Sequence, residues 1–185
     1  MKRTLKPLKS ARKAYSDDRA DNSVKLYETE NDLPGNTRAA LCQLINQRLV
    51  DALDLQLQLK QAHWNVKGPH FIGLHELFDD VNESVASHVD LIAERIVQLG
   101  GIALGTVRVA AARSRLEEYP LDIADGNLHV EAVARALSTF GREARLTIDE
   151  AAGLGDADTA DLFTQVSRDI DKWLWMVEAH SQAPR

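Results

Sequence analysis

The sequence predicts an all-α protein made of four long helices, and two observations favour this fold class. The five prolines leave long stretches of chain free of helix breakers. Within these stretches apolar residues recur every three or four positions, which is the period of an amphipathic helix. With 185 residues, 44% of them hydrophobic and 27% charged, the chain fits one globular domain and is unlike a collagen or a wholly disordered protein.

The first helix is predicted over residues 37–67, after a turn that begins at Pro34. A row of alternating leucines in this run resembles a strand, but the run is too long for one. On a helical wheel, one apolar stripe leads to His63 and consists of Leu41, Ile45, Leu49, Ala52 and Leu59. Leu55 and Leu57 lie off this stripe, so we expect the helix to be buried on more than one side, as it would be against another subunit.

The later helices follow the same apolar spacing. The second helix begins after Gly68 and ends at Gly100, and a short helix is predicted over residues 107–116. A third long helix covers about 127–153, and a fourth starts near Asp156 and runs to about residue 181. Four long helices with one extended connection between the second and the third match a ferritin-like four-helix bundle that carries a short helix in this connection.

The charge is distributed unevenly along the chain. The formal net charge is −6, yet the first thirteen residues contain no acidic residue and six basic ones, which are Lys2, Arg3, Lys6, Lys9, Arg12 and Lys13. This segment lacks the apolar periodicity of the bundle. We therefore predict a flexible basic arm over residues 1–33, a bundle domain over 34–181 and a short C-terminal tail over 182–185.

Sequence features also predict where the protein works. No run of 18 apolar residues exists for a membrane span, and the basic arm is not followed by the apolar region of a secretory signal. The single cysteine, Cys42, lies in a leucine-rich stretch and is predicted to be a buried thiol. A chain without a possible internal disulfide suits a reducing compartment, so we expect a cytoplasmic protein without a membrane partner.

The second helix carries a polar stripe beside its apolar one, formed by His75, Asp79, Glu83, Asp90 and Glu94. A solvated acidic edge is the simplest interpretation of such a stripe. However, no Lys or Arg occurs between Lys67 and Arg95, so basic residues are not interleaved with the acids of the stripe as they usually are on a solvated helix face. Imidazole and carboxylate groups at this spacing are suitable ligands for a divalent first-row metal.

The length of the stripe limits how a metal can be bound. The pair His75 and Asp79 is centred 15 residues before the pair Asp90 and Glu94, which corresponds to about 22 Å along a helix. One metal ion cannot contact both pairs. A two-fold dimer with antiparallel second helices would bring the first pair of one chain to the second pair of the other, and would form two identical sites. His63, near the end of the first helix, is a candidate for a further imidazole ligand.

Several segments resemble the Dps family of mini-ferritins, the DNA-binding proteins from starved cells. Residues 60–68 read KQAHWNVKG, residues 74–76 read LHE and residues 88–95 read HVDLIAER. They preserve the spacing H-x11-H-x3-D-x10-D-x3-E. The resemblance continues through QLGG at 98–101 and DKWLW at 171–175, so it covers about residues 35–180. The Glu-x-x-His motif of larger ferritins is missing from the sequence.

The resemblance implies a hollow homododecamer built from two-fold dimers, with a ferroxidase site between subunits. In that family the site residues match His63, His75, Asp79, Asp90 and Glu94, which would bind iron as Fe²⁺ and Fe³⁺. Members of the family prefer hydrogen peroxide as the oxidant and mineralise the ferric product inside the shell. Glu83 is not in the family's set, and we regard it as an auxiliary iron-binding acid.

Two further sets of residues have predicted roles. Trp64, next to His63, is a candidate sacrificial electron donor, although packing explains it equally well. The acids Asp156, Asp158 and Asp161 either cap and complement the dipole of the fourth long helix or line a pore that attracts cations, for which the resemblance favours Asp161.

The basic arm can neutralise DNA phosphates without reading sequence, which would make the protein nucleoid-associated. The competing hypothesis is a structural nucleoid-binding protein whose metal site is vestigial.

Overall fold

The computed structural model describes residues 24–182 and contains five α-helices and no strand over that range. The helices are α1 (Gly35–Asn65), α2 (Phe71–Gln98), α3 (Val107–Arg113), α4 (Gly126–Gly153) and α5 (Ala157–Glu178). The all-α prediction is therefore confirmed. The predicted DNA-binding residues of the basic arm, Lys2 to Lys13, lie outside the described residues, as do 183–185. Between residues 24 and 182 no helix is both long and apolar enough to cross a membrane.

The four long helices form two hairpins that pack face to face. Short connections join α1 to α2 and α4 to α5, which makes the helices of each pair antiparallel neighbours. Between the hairpins, α1 packs on α4 and α2 packs on α5. Gly155 adopts a φ of 81° in the turn before α5, a conformation that residues with a Cβ avoid. This arrangement is the bundle that the sequence predicts.

The long connection from α2 to α4 runs along the whole length of α1. Side chains of α1 donate hydrogen bonds to its backbone at successive levels: Asn46 to Ile102 O (3.0 Å), Gln47 to Arg113 O (3.0 Å) and Gln58 to Glu117 O (3.0 Å). Beyond the end of α1, the backbone amide of Lys67 donates to Ala124 O (2.9 Å). The helix α3, which also packs on α1, belongs to this connection and ends three residues earlier than predicted.

The core lies between the two hairpins and is filled by the predicted apolar stripes. All five residues of the α1 stripe are buried, as is Cys42. Leu55 is also fully buried within its own chain, because it faces a second side of the bundle. Leu57 is 50% exposed. The apolar surface of α1 that is left for another subunit is thus smaller than the sequence suggests.

Residues 24–33 have no regular secondary structure, but they contact the bundle. The amide of Tyr27 donates to Gly100 O (2.7 Å), and Val24, Leu26 and Leu33 are partly buried against the core. Arg38 at the start of α1 donates to Leu33 O (3.1 Å). Residues 24–33, the last third of the predicted arm, therefore pack against the first hairpin at the end where α1 begins and α2 ends.

Candidate metal site at the turn of the first hairpin

Two histidines face each other where α1 ends and α2 begins. His63 Nδ1 lies 2.7 Å from His75 O, and His75 Nδ1 lies 2.8 Å from His63 O. Their rings stack with centroids 3.7 Å apart and an interplanar angle of 22°. The structure thus brings together two predicted ligands that are twelve residues apart in sequence, and it does so through reciprocal bonds.

These two hydrogen bonds determine which ring nitrogen is available to a ligand. A carbonyl oxygen can only accept a hydrogen bond, so Nδ1 of each histidine must carry the proton. In the neutral imidazole, Nε2 then keeps its lone pair. Metal-bound histidines in proteins are oriented in the same way, by donating from one ring nitrogen to a carbonyl or carboxylate while the other nitrogen binds the metal. Both histidines are partly exposed.

Asp79 lies one turn after His75 on α2 and forms an ion pair with a lysine of α1. Lys60 Nζ is 2.5 Å from Asp79 Oδ1, and both side chains are partly exposed. The hydrogen bond from Lys60 lowers the pKa of Asp79 below its ordinary value, against the opposing effect of desolvation. The carboxylate is therefore ionised at neutral pH and has a cation beside it.

Lys60 is the site residue that sequence reasoning missed. The counter-charge of Asp79 comes from the neighbouring helix α1 and not from α2 itself. A signal for it exists in the sequence, because Lys60 precedes His63 by three residues and must share its face of the helix. The acidic stripe is thus partly neutralised within the chain at the end where the histidines lie.

The other two predicted ligands lie far along α2. Asp90 and Glu94 are exposed, as is Glu83 between them and the histidines. The part of the chain that the structure describes contains no group of three or more His, Cys, Asp or Glu side chains placed to hold a metal. The predicted ligands therefore fall into two separate sets in one chain, and neither set is a metal site by itself. We call His63, His75 and Asp79 the histidine half, and Asp90 and Glu94 the carboxylate half.

The donor set of the histidine half fits iron in its ferrous state. It offers two imidazole nitrogens and one carboxylate oxygen without a thiolate, which are intermediate and hard donors suited to divalent first-row metals. An anionic oxygen ligand also favours the ferric over the ferrous ion. The chemistry that this arrangement supports is binding of Fe²⁺ followed by its oxidation, provided that further oxygen ligands complete the site.

Trp64 directly follows His63 near the C-terminal end of α1. Its side chain is 66% exposed, so packing within its own chain does not explain it.

The three acids at the start of α5 have different surroundings. Asp156 is 3% exposed and caps α5, since it accepts a hydrogen bond from the amide of Thr159 (3.1 Å). Arg95 Nη2 lies 2.8 Å from Asp156 Oδ1, and Arg95 Nε donates to Thr159 Oγ1 (2.9 Å). Asp158 and Asp161 are exposed. Two roles were predicted for these acids, and the capping role fits Asp156. Only Asp158 and Asp161 have exposed carboxylates that a cation could approach.

Replacing Asp156 with Asn should destabilise the protein while preserving the cap, because Asn caps helices as well as Asp does. The change leaves the guanidinium of Arg95, whose side chain is 11% exposed, without its ion-pair partner, at a cost of about 2 kcal/mol in the free energy of unfolding. Urea unfolding at fixed protein concentration measures this. Asp158→Asn removes the same charge from an exposed position and should change the free energy by less than about 0.5 kcal/mol. Equal losses in the two variants would contradict a special role for the buried pair.

The same pair makes stability depend on pH. Burial alone would raise the pKa of Asp156, but the hydrogen bonds from Thr159 and Arg95 outweigh it and hold the pKa below its ordinary value. The ionised carboxylate thus stabilises the fold above the ordinary pKa of Asp, and this contribution is lost as the pH falls through the lower, folded value. The Asp156→Asn variant should lack this part of the acid dependence.

Comparisons with known proteins place these features in a family context. A family model described as a ferritin-like domain matches residues 42–185. The DNA protection during starvation protein of Agrobacterium fabrum is 43% identical over 159 residues, which is 86% of this chain and 98% of the relative. The protein of the same name from Mycolicibacterium smegmatis is 31% identical over 77% of this chain and 78% of its own length.

Solved structures show the same similarity. DpsA14 from Streptomyces coelicolor superposes with a TM-score of 0.82 at 32% sequence identity, covering 86% of this chain and 95% of that one. Mycobacterium smegmatis Dps in its tetragonal form superposes with a TM-score of 0.81 at 29% identity, covering 86% and 96%.

Proposed function

The chain belongs to the Dps family of ferritin-like proteins, and from this membership we propose that it is a ferroxidase and an iron store. It oxidises Fe²⁺ with hydrogen peroxide at sites between subunits, keeps the ferric product inside a homododecameric shell, and binds and protects DNA without sequence preference. The observation that carries the proposal is the reciprocal pair of His63 and His75, in which both Nδ1 atoms are bonded to backbone carbonyls, so that the lone pair of each Nε2 is left for a metal. Both imidazoles lie within electrostatic reach of Asp79.

The site is completed by a second copy of the chain. The two halves of the site are about 22 Å apart along α2, and the described residues of one chain do not close a metal site by themselves. In a two-fold dimer with antiparallel α2 helices, the histidine half of one subunit meets the carboxylate half of its partner. Symmetry then gives two identical sites per dimer, each with three protein ligands from one chain and two from the other.

The proposed reaction uses iron as the substrate. Two Fe²⁺ ions each give one electron to hydrogen peroxide, which takes up two protons and is reduced to two water molecules, so that little hydroxyl radical is released. The carboxylates of Asp79, Asp90 and Glu94 stabilise the higher charge of Fe³⁺. Lys60 forms an ion pair with Asp79 in the metal-free protein. When a cation binds to Asp79, its positive charge repels the ammonium group of Lys60 and displaces it. Glu83, exposed on the same helix, serves as an auxiliary ligand for iron that is leaving the site.

Iron reaches the shell interior along exposed acids at the start of α5. Asp161→Asn should slow the entry of Fe²⁺ several-fold, because it removes a carboxylate from the path, and Asp158→Asn should act in the same direction. Stopped-flow mineralisation of added Fe²⁺ measures entry. Asp122→Asn, which makes the same charge change in the connection at the other end of the bundle, is the matched control. Unchanged uptake by the Asp161 variant would contradict this assignment.

DNA binding is assigned to the basic arm. Lys2, Arg3, Lys6, Lys9, Arg12 and Lys13 would neutralise phosphates on the outside of the shell, which makes the protein cytoplasmic and nucleoid-associated. The competing function is a structural nucleoid-binding protein with a vestigial metal site. The geometry of the histidine half favours the ferroxidase, since a vestigial site has no reason to keep both Nε2 atoms free.

One experiment tests the proposed function as a whole. Fe²⁺ is added to the metal-free protein without oxygen, hydrogen peroxide follows, and the formation of Fe³⁺ is recorded together with the mass of the assembly. We expect rapid oxidation by about one peroxide for every two Fe²⁺ in a particle of twelve chains. A monomer that does not accelerate the reaction of peroxide with Fe²⁺ would refute the proposal.

A further inference from the structure

A tyrosine and a histidine form an isolated hydrogen-bonded pair inside the bundle. Tyr119 Oη lies 2.6 Å from His129 Nδ1, and the ring centroids are 6.0 Å apart. Tyr119 is 7% exposed and His129 is fully buried. Tyr119 belongs to the long connection and His129 to the first turn of α4, so neither residue is part of the metal site described above.

The direction of this hydrogen bond follows from the partners available. The hydroxyl and a ring N–H can each donate in such a pair. The carbonyls of Ile123 and Asn65 lie near the imidazole and stabilise a ring proton on Nε2, although neither meets full hydrogen-bond geometry at that atom. The hydroxyl therefore donates and Nδ1 accepts. Burial lowers the pKa of His129, although the nearby carbonyls of Ile123 and Asn65 oppose it, and burial raises the pKa of Tyr119. Both groups are therefore neutral, and the imidazole is an available base.

The pair lies close to the histidine half. The carbonyl of Asn65, two residues after His63, is near the His129 imidazole. The hydrogen bond from the Lys67 amide to Ala124 O (2.9 Å) ties the end of α1 to the connection that leads into α4. The buried phenol of Tyr119 is thus linked, through His129, to the end of α1 that carries His63.

We propose that Tyr119 and His129 form a proton-coupled redox pair that consumes single oxidising equivalents released near the metal site. The inference rests on the proposed function for the source of the oxidant, a hydroxyl radical formed when one Fe²⁺ reduces hydrogen peroxide by one electron. Tyr119 gives one electron to the hydroxyl radical, which becomes hydroxide, and the phenolic proton moves to His129 Nδ1. The products are a neutral tyrosyl radical and an imidazolium that remain hydrogen-bonded.

A base at hydrogen-bond distance distinguishes Tyr119 from Tyr27 and Trp64. An oxidised phenol that keeps its proton is a cation, and a buried cation without a partner is strongly unfavourable. A base within hydrogen-bond distance removes this cost by accepting the proton as the electron leaves. Tyr27 and Trp64 are 56% and 66% exposed, and neither has a histidine partner among the described residues. A radical on either of them would meet solvent, whereas the Tyr119 radical is shielded.

The test produces the radical with and without iron. In the first arm, a ruthenium tris-bipyridine photo-oxidant acts on the metal-free, full-length assembly, and electron paramagnetic resonance detects the radical. We expect a neutral tyrosyl signal that Tyr119→Phe reduces by about tenfold and that the matched control Tyr27→Phe preserves. His129→Gln should slow radical formation by about 100-fold, because the base is lost. Wild-type protein with ¹⁵N-labelled histidine needs no variant, since the radical should couple to one histidine nitrogen.

The second arm adds Fe²⁺ and peroxide and records iron oxidation and the radical in the same sample. A Tyr119 radical in both arms supports the pair. A radical in the photo-oxidised sample without iron oxidation would support the pair and contradict the proposed function alone. Normal iron oxidation with no Tyr119 radical in either arm would overturn the inference. A signal that is lost in Trp64→Phe but kept in Tyr119→Phe would overturn it too, since the electron would then come from the indole.

Discussion

Two inactive subunits should regain ferroxidase activity when they are assembled together, provided that each lacks a different half of the site. One variant carries His75→Ala and Asp79→Asn, and the other carries Asp90→Asn and Glu94→Gln. Assembled alone, each should lose activity by at least about 100-fold, since the loss of direct ligands exceeds the usual effect of losing their supporting partners. Co-expression gives mixed dimers in which one of the two sites has all its ligands.

The size of the recovery is fixed by symmetry. Random pairing makes half of the dimers mixed, and each mixed dimer has one complete site and one empty site, so about one quarter of the wild-type sites should return. The rate of Fe²⁺ oxidation by peroxide per particle measures this fraction. Two chains that lack the same half, such as His75→Ala with Asp79→Asn, provide the control and should show no recovery.

A failure to recover would be informative because the variants can be checked separately. Each assembly is sized first, so that loss of the particle is distinguished from loss of the site. If correctly sized mixed particles stay inactive, the two halves do not meet across the dimer, and the antiparallel arrangement of α2 is refuted.

Removal of residues 1–13 should abolish DNA binding while leaving iron oxidation intact. The deletion takes six basic residues from every chain and leaves an acidic body. Because non-specific affinity for duplex DNA comes from phosphate neutralisation and counterion release, the affinity at low salt should fall by at least about 100-fold. Gel retardation of duplex DNA over a series of salt concentrations measures the loss.

Two full-length controls separate charge from length. Replacing the six basic residues with Gln should reproduce the deletion, whereas scrambling the order of residues 1–13 should preserve binding, because phosphate contacts carry no sequence information. Retardation of DNA by the truncated shell at the wild-type concentration would contradict the role of the arm. So would a scrambled arm that fails to bind.

The fold could be predicted from the sequence because its determinants are local. Apolar residues at helical spacing, together with turn residues such as Gly68 and Gly155, define where each long helix begins and ends. The largest differences are at the C-terminal ends of α3 and α5, which each lie three residues before the predicted end, because the last turn of a helix is the part that local sequence determines least. The sequence does not reveal what buries Leu55. A helical wheel shows which residues share a face of the helix, but not whether a given face is covered by the same chain or by another subunit.

The site could be predicted only in part because its contacts cross between helices. The positions of His63 and His75 follow from sequence spacing, but the exchange of hydrogen bonds between them depends on how the hairpin turns. Lys60 escaped notice because its partner is on the next helix. The ion pair of Arg48 with Glu143 (2.7 Å) joins residues 95 positions apart, and the pair of Tyr119 with His129 joins a connection to a helix. No periodicity in the sequence reports such pairs.

The reciprocal hydrogen bonds of His63 and His75 also imply that the first hairpin folds before the metal site is completed. They join residues only twelve positions apart, so closing this contact costs little loop entropy, and the hairpin can form while the rest of the chain is still being made. Under the proposed pairing, the carboxylates that complete the site arrive only with a second folded chain. A newly made subunit can therefore be fully folded and still inactive. Oxidation of Fe²⁺ by peroxide begins only after dimers form, and these dimers are the units from which the shell for the ferric product is assembled.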